Sequence, residues 1–274
     1  MRRIRLLVAF IASTCLLVPA AAQQPPPPYR ILVSNDDGVN APGLAAVAQI
    51  LQAIGQVVIV APAQNQSGTG HSITITEPIF REEVTLPNGL KAIGLTATPA
   101  STVKVALKNI VNPQPDLVVA GINRGYNLGY SAYLSGTVGA AREGAMAGIP
   151  AIAASLAGGT NDYGAAAEAV LDVARRVKQW GLPPQTFINV NVPAGAPKGI
   201  QVVTQAMTEG GDESFAEAKH PNGRTYYWNV YKEGGRAPQG TDLWAVENGY
   251  VAVTAMKVGE TEPKLQDTIR GWFK

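Results

Sequence analysis

The sequence predicts an α/β fold with a largely parallel sheet. Strand-like and helix-like patterns alternate along the chain from Tyr29 onward, and several of the strand candidates are continuous apolar runs, as expected of strands covered on both faces. The chain has 274 residues, of which 46% are hydrophobic, with 29 glycines and 20 prolines. This is the composition of a globular protein rich in tight turns, long enough for one large α/β domain or two small ones.

The first half of the chain supplies the opening strands and the first helix of this alternation. Arg30–Ser34 predicts a strand, and Ala41–Ile54 predicts a helix that ends at Gly55, because small and apolar residues recur there at helical spacing. Val57–Val60 and Asp116–Ala120 are apolar, β-branched runs that are typical of buried parallel strands.

The second half continues the alternation and then changes. A helix over Thr137–Ala147 leads to a strand over Ile149–Ser155, and a surface helix over Asn161–Trp180 leads to a strand over Phe187–Val192. Past Ile200 the chain becomes β-rich, with Gly, Pro and Asn turns. We expect hairpins there, packed on the main domain or on a second subunit, in three stretches: Gln201–Thr204, Thr225–Tyr231 and Tyr250–Thr254.

The N-terminal segment predicts a secretory signal peptide over residues 1–22. A basic start, Met1–Arg5, precedes an apolar run, Leu6–Val18, and a small-residue cleavage site, Ala20–Ala22. The apolar run is shorter than the roughly 20 residues of a membrane span. We therefore expect cleavage after Ala22, an exported protein (periplasmic or secreted), and no membrane association afterwards. Residues 23–28 contain four prolines and predict a stiff tether before a domain over 29–274.

Cleavage of this signal changes the chemistry of the chain. Cys15 is the only cysteine, so the mature chain would have neither a disulfide nor thiol chemistry. A lipoprotein signal at Cys15 is disfavoured because Thr14 precedes it. The 22 Lys and Arg residues face 20 Asp and Glu residues, and loss of Arg2, Arg3 and Arg5 leaves 19 against 20, a net charge of −1. Without clustered Lys and Arg, a nucleic-acid duplex is not an expected partner.

Two adjacent carboxylates follow the first predicted strand. Asp36 and Asp37 come directly after Ser34 and Asn35, and Gly38 follows. At a turn both carboxylates can approach one point, where they repel each other unless a cation lies between them or one takes up a proton. Mg²⁺ prefers one or two carboxylates together with water and phosphate oxygens. An ordinary Asp-Asp-Gly turn is the alternative.

Three further polar loops follow predicted strands or open a helix. Asn65–Gly68 offers the Ser67 hydroxyl as an oxygen ligand, with a plain polar loop as the alternative. Gly121–Gly129 holds three glycines and two asparagines whose N–H and amide groups can cradle an anion, and Arg124 is either a phosphate clamp or a solvated side chain. Ser135 or Thr137 can cap the next helix, whose N-terminus is also an anion site.

Other chemistries lack their signatures. No glycine-rich phosphate loop ending in Gly-Lys-Ser/Thr occurs, no Gly-x-Ser-x-Gly elbow occurs, and His71 and His220 are the only histidines. An ATPase, a hydrolase built on that elbow and a His/Cys zinc site are therefore disfavoured. Because parallel strands present their ligands at the carboxyl edge, carboxylate and amide groups beside a phosphate cradle indicate metal-assisted phosphoryl hydrolysis.

Four motifs stand out along the chain: "RILVSNDDGVNAPG", "VAPAQNQSG", "VVAGINRGYNLG" and "LSGTVGAAREGAMAGIPAIAAS", with support from "INVNVP" and "GTDLWAVENGYVAVTAM". In this order and spacing they resemble the SurE family of survival-protein nucleotidases. The resemblance covers nearly everything from Tyr29 to about Met256. It implies a Rossmann-like three-layer α/β/α fold with a C-terminal β-hairpin arm, a β-rich oligomerisation region over about 205–274, and assembly as a homodimer or homotetramer.

The resemblance also implies an activity and a site. The activity is metal-dependent hydrolysis of nucleoside 5′-monophosphates, with 3′-monophosphates left open, using one divalent ion per subunit, Mg²⁺ or Mn²⁺. The positions that match the family's metal ligands are Asp36, Asp37, Ser67 and Asn123. The positions that match its phosphate-binding residues are Asn127, Ser135, Gly136 and Thr137. Asn35 lies in the same motif as the aspartates. Asp36, Asp37 and Asn123 are the catalytic candidates, and Asp37 is the preferred acceptor of the water proton.

The chain departs from the family pattern at a few positions. Ser101 and Thr102 stand where the family usually has Asp-Cys, Thr69–His71 replaces a serine-rich stretch, and His220 stands where Asp is common. None of these positions belongs to the expected ligands, so they bear on substrate preference and assembly. The departures at Ser101, Thr102 and His71 also motivate an alternative function, an exported nucleotide- or metal-binding protein without turnover.

Overall fold

A nine-stranded sheet forms the centre of the molecule in the computed structural model, which describes residues 27–208, 210–234 and 237–273. The predicted signal peptide and all of the tether except Pro27 and Pro28 lie outside the described residues. The strand order is β3-β4-β2-β1-β5-β6-β7-β11-β8. The strands are β1 (Arg30–Ser34), β2 (Gln56–Pro62), β3 (Arg81–Thr85), β4 (Lys91–Leu95), β5 (Leu117–Arg124), β6 (Ala151–Leu156), β7 (Thr186–Val192), β8 (Ile200–Val203) and β11 (Val251–Lys257).

The six central strands, from β4 to β7, are parallel, and the strands at both edges run the other way. Strand β3 is antiparallel to β4, and β11 is antiparallel to β7 while β8 is parallel to β11. Successive side chains of a strand point to opposite faces, so Ile31 and Val33 enter one core and Leu32 enters the other. Both faces are thus buried, which confirms the interpretation of the apolar runs as covered parallel strands.

Helices cover both faces of the sheet and give the three-layer fold. Helices α1 (Pro42–Leu51) and α5 (Gly164–Trp180) lie on one face, and α2 (Pro99–Val105) and α4 (Gly136–Met146) lie on the other. The remaining helices are α3 (Ser131–Leu134), α6 (Asp242–Glu247) and α7 (Pro263–Trp272), and a π-helical turn spans Ala106–Ile110. No helix within the described ranges combines the length and apolar character that a membrane crossing needs.

Two helix boundaries differ from the predictions by three residues, each for a local reason. Helix α1 ends at Leu51 rather than Ile54, because the N–H groups of residues 52–54 bond to carbonyls three residues back and tighten the last turn. Helix α5 begins at Gly164 rather than Asn161. The Asp162 carboxylate accepts the N–H of Gly164, and such local side-chain bonds hold the backbone in a turn.

The β-rich C-terminal region is only partly the expected arm. Strands β9 (Gly211–Lys219) and β10 (Thr225–Glu233) form a separate antiparallel hairpin, which confirms the predicted arm. The hairpin prediction was wrong for Gln201–Thr204 and Tyr250–Thr254, since these residues form β8 and β11 of the main sheet. A long insertion, the hairpin, separates two strands that pair with each other, and local patterns carry no information about such pairing.

Candidate active site

The strand order places a crevice at the carboxyl ends of β1 and β5. The chain moves from β1 to β2 on one side and reaches β5 on the other side of β1, so the direction of winding reverses between β1 and β5. Ligands of open α/β sheets bind at such a reversal. Asp36 and Asp37 follow β1 at this point, and Asn123 lies near the end of β5.

The loop after β1 is closed by its own hydrogen bonds and fastened to the loop after β2. The Asn35 side chain donates to the carbonyl of Gly38 at 2.9 Å, and the N–H of Gln66 donates to the carbonyl of Asp36 at 2.7 Å. Asn35 is fully buried, and its Oδ1 has no partner among the described residues, which leaves an acceptor for a ligand.

Asp36 faces the start of helix α4. Its carboxylate accepts a hydrogen bond from the Thr137 hydroxyl, and its side chain is only 3% exposed. Burial raises the pKa of Asp36 to about 6, against the lowering effect of the Thr137 hydrogen bond and with a smaller rise from the charge of Asp37. A carboxylate held in this way favours partners that compensate its charge.

Helix α4 begins in contact with that carboxylate. Ser135 caps the helix, as predicted, because its Oγ accepts the N–H of Val138 at 3.1 Å. A Cβ on Gly136 would lie 2.8 Å from Cβ of Asp36 and 3.0 Å from its Oδ2, so only glycine allows this approach. The free N–H groups of the first turn are therefore presented beside Asp36, where an anion can bind.

Asp37 faces the other side of the crevice. Its Oδ2 accepts the backbone N–H of Arg124 at 3.1 Å, which ties it to the residue that follows Asn123. Burial raises the pKa of Asp37, while the N–H and the positive charge of Arg124 lower it. The two adjacent carboxylates thus diverge, one toward helix α4 and one toward the end of β5.

A register shift in β5 brings Asn123 to the crevice. The pairing of β5 with β6 jumps between Ala120 and Asn123, as at a β-bulge, which re-aims the side chains that follow. Gly121 lies in this shift with φ +138°, and a Cβ there would meet the carbonyl oxygen of Ala154 at 2.4 Å. The Asn123 amide donates to the carbonyl of Gly125 at 2.8 Å, so its Oδ1 is left for another partner.

Ser67 and Asn127 lie in the surrounding loops, and within the described residues no hydrogen bond joins either of them to Asp36 or Asp37. Ser67 is exposed in the loop after β2, one residue beyond the Gln66 bond to Asp36, and its own N–H donates to Asn65. Asn127 is buried, and its side chain donates to Ser155 at 2.8 Å. The structure therefore brings Asp36, Gly136 and Thr137 into contact and places Ser67 and Asn127 around them.

Asn127 is held in place by three buried side chains that are not among the predicted site residues. Asn191 accepts the Asn127 N–H at 2.8 Å and donates to its carbonyl at 3.2 Å, while Asn189 donates to the same carbonyl and Ser155 holds the side chain. The signal was present in "INVNV", because two asparagines at alternate positions of an otherwise apolar buried strand need polar partners.

The donor set fits a hard divalent cation. Mg²⁺ and Mn²⁺ prefer oxygen ligands, including carboxylates. Such ligands are available here from two carboxylates, Asp36 and Asp37, one amide, Asn123, and one hydroxyl, Ser67. In the described part of the chain there is no group of three or more His, Cys, Asp and Glu side chains placed to hold a metal ion. A cation at this site would thus depend on amide and hydroxyl oxygens beside the carboxylate pair.

Fold and site together define an α/β protein in which one carboxylate of an adjacent pair meets a helix N-terminus at the reversal point of the sheet. A family model described as survival protein SurE matches residues 31–214. The chain belongs to the SurE family.

Relatives and a solved structure extend this match over most of the chain. The proteins named 5′-nucleotidase SurE of Syntrophotalea carbinolica and 5′-nucleotidase SurE 1 of Thermus thermophilus are each 42% identical to it over 246 residues, covering 88% of this chain and 96% and 97% of theirs. The crystal structure of SurE protein from Aquifex aeolicus has a TM-score of 0.79 and 38% identity, and the match covers 89% of this chain and 100% of that one.

Proposed function

We propose that this protein is a divalent-metal-dependent phosphomonoesterase that hydrolyses nucleoside 5′-monophosphates to a nucleoside and phosphate. The observation that carries the proposal is the contact between Asp36 and the first turn of α4, since it sets one carboxylate of the adjacent pair beside free helix N–H groups. Membership of the SurE family, whose relatives are named as 5′-nucleotidases, supports the same conclusion. Hydrolysis of 3′-monophosphates is tested with the same substrate panel as that of 5′-monophosphates.

In this proposal Asp36, Asp37, Asn123 and Ser67 hold one Mg²⁺ or Mn²⁺ ion, which supplies charge neutralisation and Lewis-acid activation when bound. The N–H groups that open α4 donate to the phosphate oxygens, and Asn127 adds a polar contact from the opposite loop. The Thr137 hydroxyl keeps Asp36 in place. Asp37 has one oxygen occupied by the N–H of Arg124, so its other oxygen is available to accept a proton from the attacking water.

Phosphate release from a panel of nucleoside 5′- and 3′-monophosphates tests this function. We expect release with Mg²⁺ or Mn²⁺, none with EDTA, and a loss of about 100-fold or more in Asp36→Asn, because the variant weakens both the cation site and the preorganised charge. Asp172→Asn is the matched control, since Asp172 pairs with Arg176 alone among the described residues, on the outer side of α5. Saturable nucleotide binding without phosphate release under any metal would instead support a binding protein without turnover.

We also propose that the protein is exported and assembles through its hairpin. The basic start, apolar run and small-residue site of residues 1–22 support export. N-terminal sequencing of the protein recovered outside the cytoplasm should begin at Gln23, and an intact Met1 on cytoplasmic protein would contradict export. The exposed aromatic side chains of β9 and β10 support a homodimer or homotetramer.

A further inference from the structure

A polar pocket opens on the side of Asp37 that faces away from helix α4. Its volume is about 350 Å³, within the range of small-molecule sites, and Asp37 forms part of its wall. Four more polar side chains line it: Asn40 from the loop before α1, Gln64 after β2, Arg124 at the end of β5, and Asn161 before α5. We call it the Tyr163 pocket, because Tyr163, just before α5, closes one side of it.

The four further polar side chains of this pocket have no partners within the described residues. The side chains of Asn40, Gln64, Arg124 and Asn161 make no hydrogen bond or ion pair there, and the only bond of Arg124 to Asp37 uses its backbone N–H. Solvated side chains of this kind are common on a protein surface. Here, however, they converge on one concave site that touches a candidate catalytic carboxylate.

Tyr163 is the buried aromatic residue of this wall. Its ring is packed in the core on the α1 side of the sheet, beside Gly43, and only 7% of the residue is exposed. Its hydroxyl makes no hydrogen bond with a described residue, and it lies close enough to Asp37 for that charge to add to the effect of burial in raising the pKa of Tyr163. A buried ring thus presents a polar tip to the pocket.

The position of the pocket relative to the phosphate side indicates what it takes. A phosphate at the start of α4 lies on the Asp36 side of the carboxylate pair, and the Tyr163 pocket begins on the Asp37 side. A substrate whose phosphate binds at α4 would therefore extend past Asp37 into the pocket. Its alanine and proline surfaces, Ala41, Pro42 and Ala63, provide apolar contact, and the polar groups provide donors and acceptors.

We propose that the Tyr163 pocket binds the nucleoside part of the substrate, with Arg124 and Asn161 as the side chains that distinguish a nucleoside monophosphate from a simple phosphomonoester. The inference rests on the proposed function for its phosphate side. It assigns to Arg124 a contact with the nucleoside, and it excludes a role for that guanidinium as the phosphate clamp. The planar guanidinium suits stacking or paired hydrogen bonds with a base.

Kinetics on two substrates test this assignment. For Arg124→Gln and Asn161→Ala we expect the KM for adenosine or guanosine 5′-monophosphate to rise about fivefold to tenfold, the effect of one lost hydrogen bond. The kcat/KM for phenyl phosphate should stay within about twofold in Asn161→Ala, since that substrate lacks the nucleoside. Arg124→Gln also removes a positive charge that acts on Asp37, so there the loss for the nucleotide should exceed the loss for phenyl phosphate by about fivefold to tenfold. Arg175→Gln, an exposed arginine of α5, is the matched control. An equal loss for both substrates would make Arg124 a phosphate clamp and overturn the proposal.

Binding of free nucleoside separates this inference from the proposed function. Isothermal titration calorimetry of adenosine and guanosine with the EDTA-treated protein should show binding. The affinity should be about fivefold to tenfold lower in Asn161→Ala. Nucleoside binding without any hydrolysis would leave the pocket assignment standing and reject the phosphatase. Hydrolysis with no nucleoside binding in the wild type, or binding that neither variant changes, would overturn the pocket assignment and leave the phosphatase standing.

Discussion

Asp36 combines two properties that conflict in the metal-free protein: it is almost completely buried, and it lies next to a second carboxylate. Burial raises the pKa of Asp36 to about 6, well above the value of about 3.9 for an aspartate in an unfolded chain. The folded protein therefore binds a proton at Asp36 that the unfolded chain has already released between these two values. A bound cation replaces that proton, so the same burial that costs stability makes the site selective for positive charge.

This conflict predicts that Asp36→Asn stabilises the metal-free protein while it lowers activity about 100-fold or more. Because the pKa of Asp36 is raised on folding, its stabilising contribution is complete below about pH 4 and is lost as the pH rises through about 6. In EDTA the free energy of unfolding of the variant should then exceed that of the wild type by up to about 3 kcal/mol at pH 7.5 and by almost nothing at pH 4. Urea unfolding at the two pH values measures this difference, and a variant less stable than the wild type at pH 7.5 would contradict it.

Gly136 gives a second prediction at the scale of one residue. In Gly136→Ala the new methyl group would lie within 3.0 Å of Asp36 and of Pro99, so the carboxylate must move. We expect about 1–3 kcal/mol of destabilisation from overpacking and at least about a tenfold loss of phosphatase activity. Mn²⁺ binding by calorimetry should weaken as well. Gly259→Ala is the control, because a Cβ at Gly259 meets open space, and wild-type activity in Gly136→Ala would show that the close approach is dispensable.

At the scale of structural elements, the loop after β2 is held by residues that lie far along the chain. His71, in this loop, bonds to Glu143 of α4 at 3.0 Å, and the other carboxylate oxygen of Glu143 pairs with Lys104 of α2 at 3.2 Å. The N–H of Gly70 donates to the carbonyl of Leu134 just before α4. The loop that carries Ser67 is thus fastened to the helix that carries Ser135 and its two neighbours.

Glu143→Gln tests this fastening through its pH dependence. Burial alone would raise the pKa of Glu143, but the hydrogen bonds and charges of His71 and Lys104 outweigh it and hold the pKa below its ordinary value. The stabilisation is therefore present above the unfolded pKa of about 4.3 and is lost as the pH falls through the lower folded pKa. We expect Glu143→Gln to lose about 1–3 kcal/mol at pH 7.

Urea unfolding from pH 3 to pH 7 measures this loss, which should shrink steadily below about pH 4. Glu83→Gln is the matched control, because Glu83 lies exposed on β3 in a surface pair with Arg81, and it should change stability by less than about 0.5 kcal/mol. A loss in Glu143→Gln that is the same at every pH would show that packing, and not the charged cluster, is responsible. Phosphate release by the same variant reports whether the Ser67 loop has shifted.

The elements that the sequence predicts well are those whose signal is local. The apolar runs of β1, β2, β5 and β7 and the cap of α4 are readable in short windows, and the motif at Asp36 lies within one loop. Strands β3 and β4 were not predicted, since exposed charged residues such as Arg81 and Lys91 conceal them. The partners of Asn127, Glu143 and Tyr163 lie far along the chain, and no local pattern specifies contacts at such separations.

At the scale of the whole molecule, the hairpin of β9 and β10 stands apart from the main sheet and exposes aromatic side chains. Its register places Tyr226, Trp228 and Val230 opposite Ala218, Ala216 and Ser214, so the middle of this face is mostly apolar, and the register continues with Lys232 opposite Asp212 at its end. The other face mixes Phe215 with Tyr227 and Asn229, which bond to Glu217 and Glu213. Isolated two-stranded hairpins are marginal in water, so an apolar face of this kind calls for a cover.

We expect a second copy of this chain to cover that apolar face. Trp228 is 69% exposed, and its replacement in Trp228→Ser should remove the largest apolar contact and shift the protein from an oligomer to a monomer at micromolar concentration. Light scattering coupled to size-exclusion chromatography measures the mass. Tyr227→Ser is the matched control, because Tyr227 is 65% exposed on the opposite face, where its hydroxyl bonds to Glu217, and its replacement should leave the mass unchanged. A wild-type monomer, or an oligomer that Trp228→Ser leaves intact, would reject the hairpin as the contact surface. Activity retained in a monomeric Trp228→Ser protein would further show that each crevice, built from β1, β5 and α4 of one chain, works without its partner.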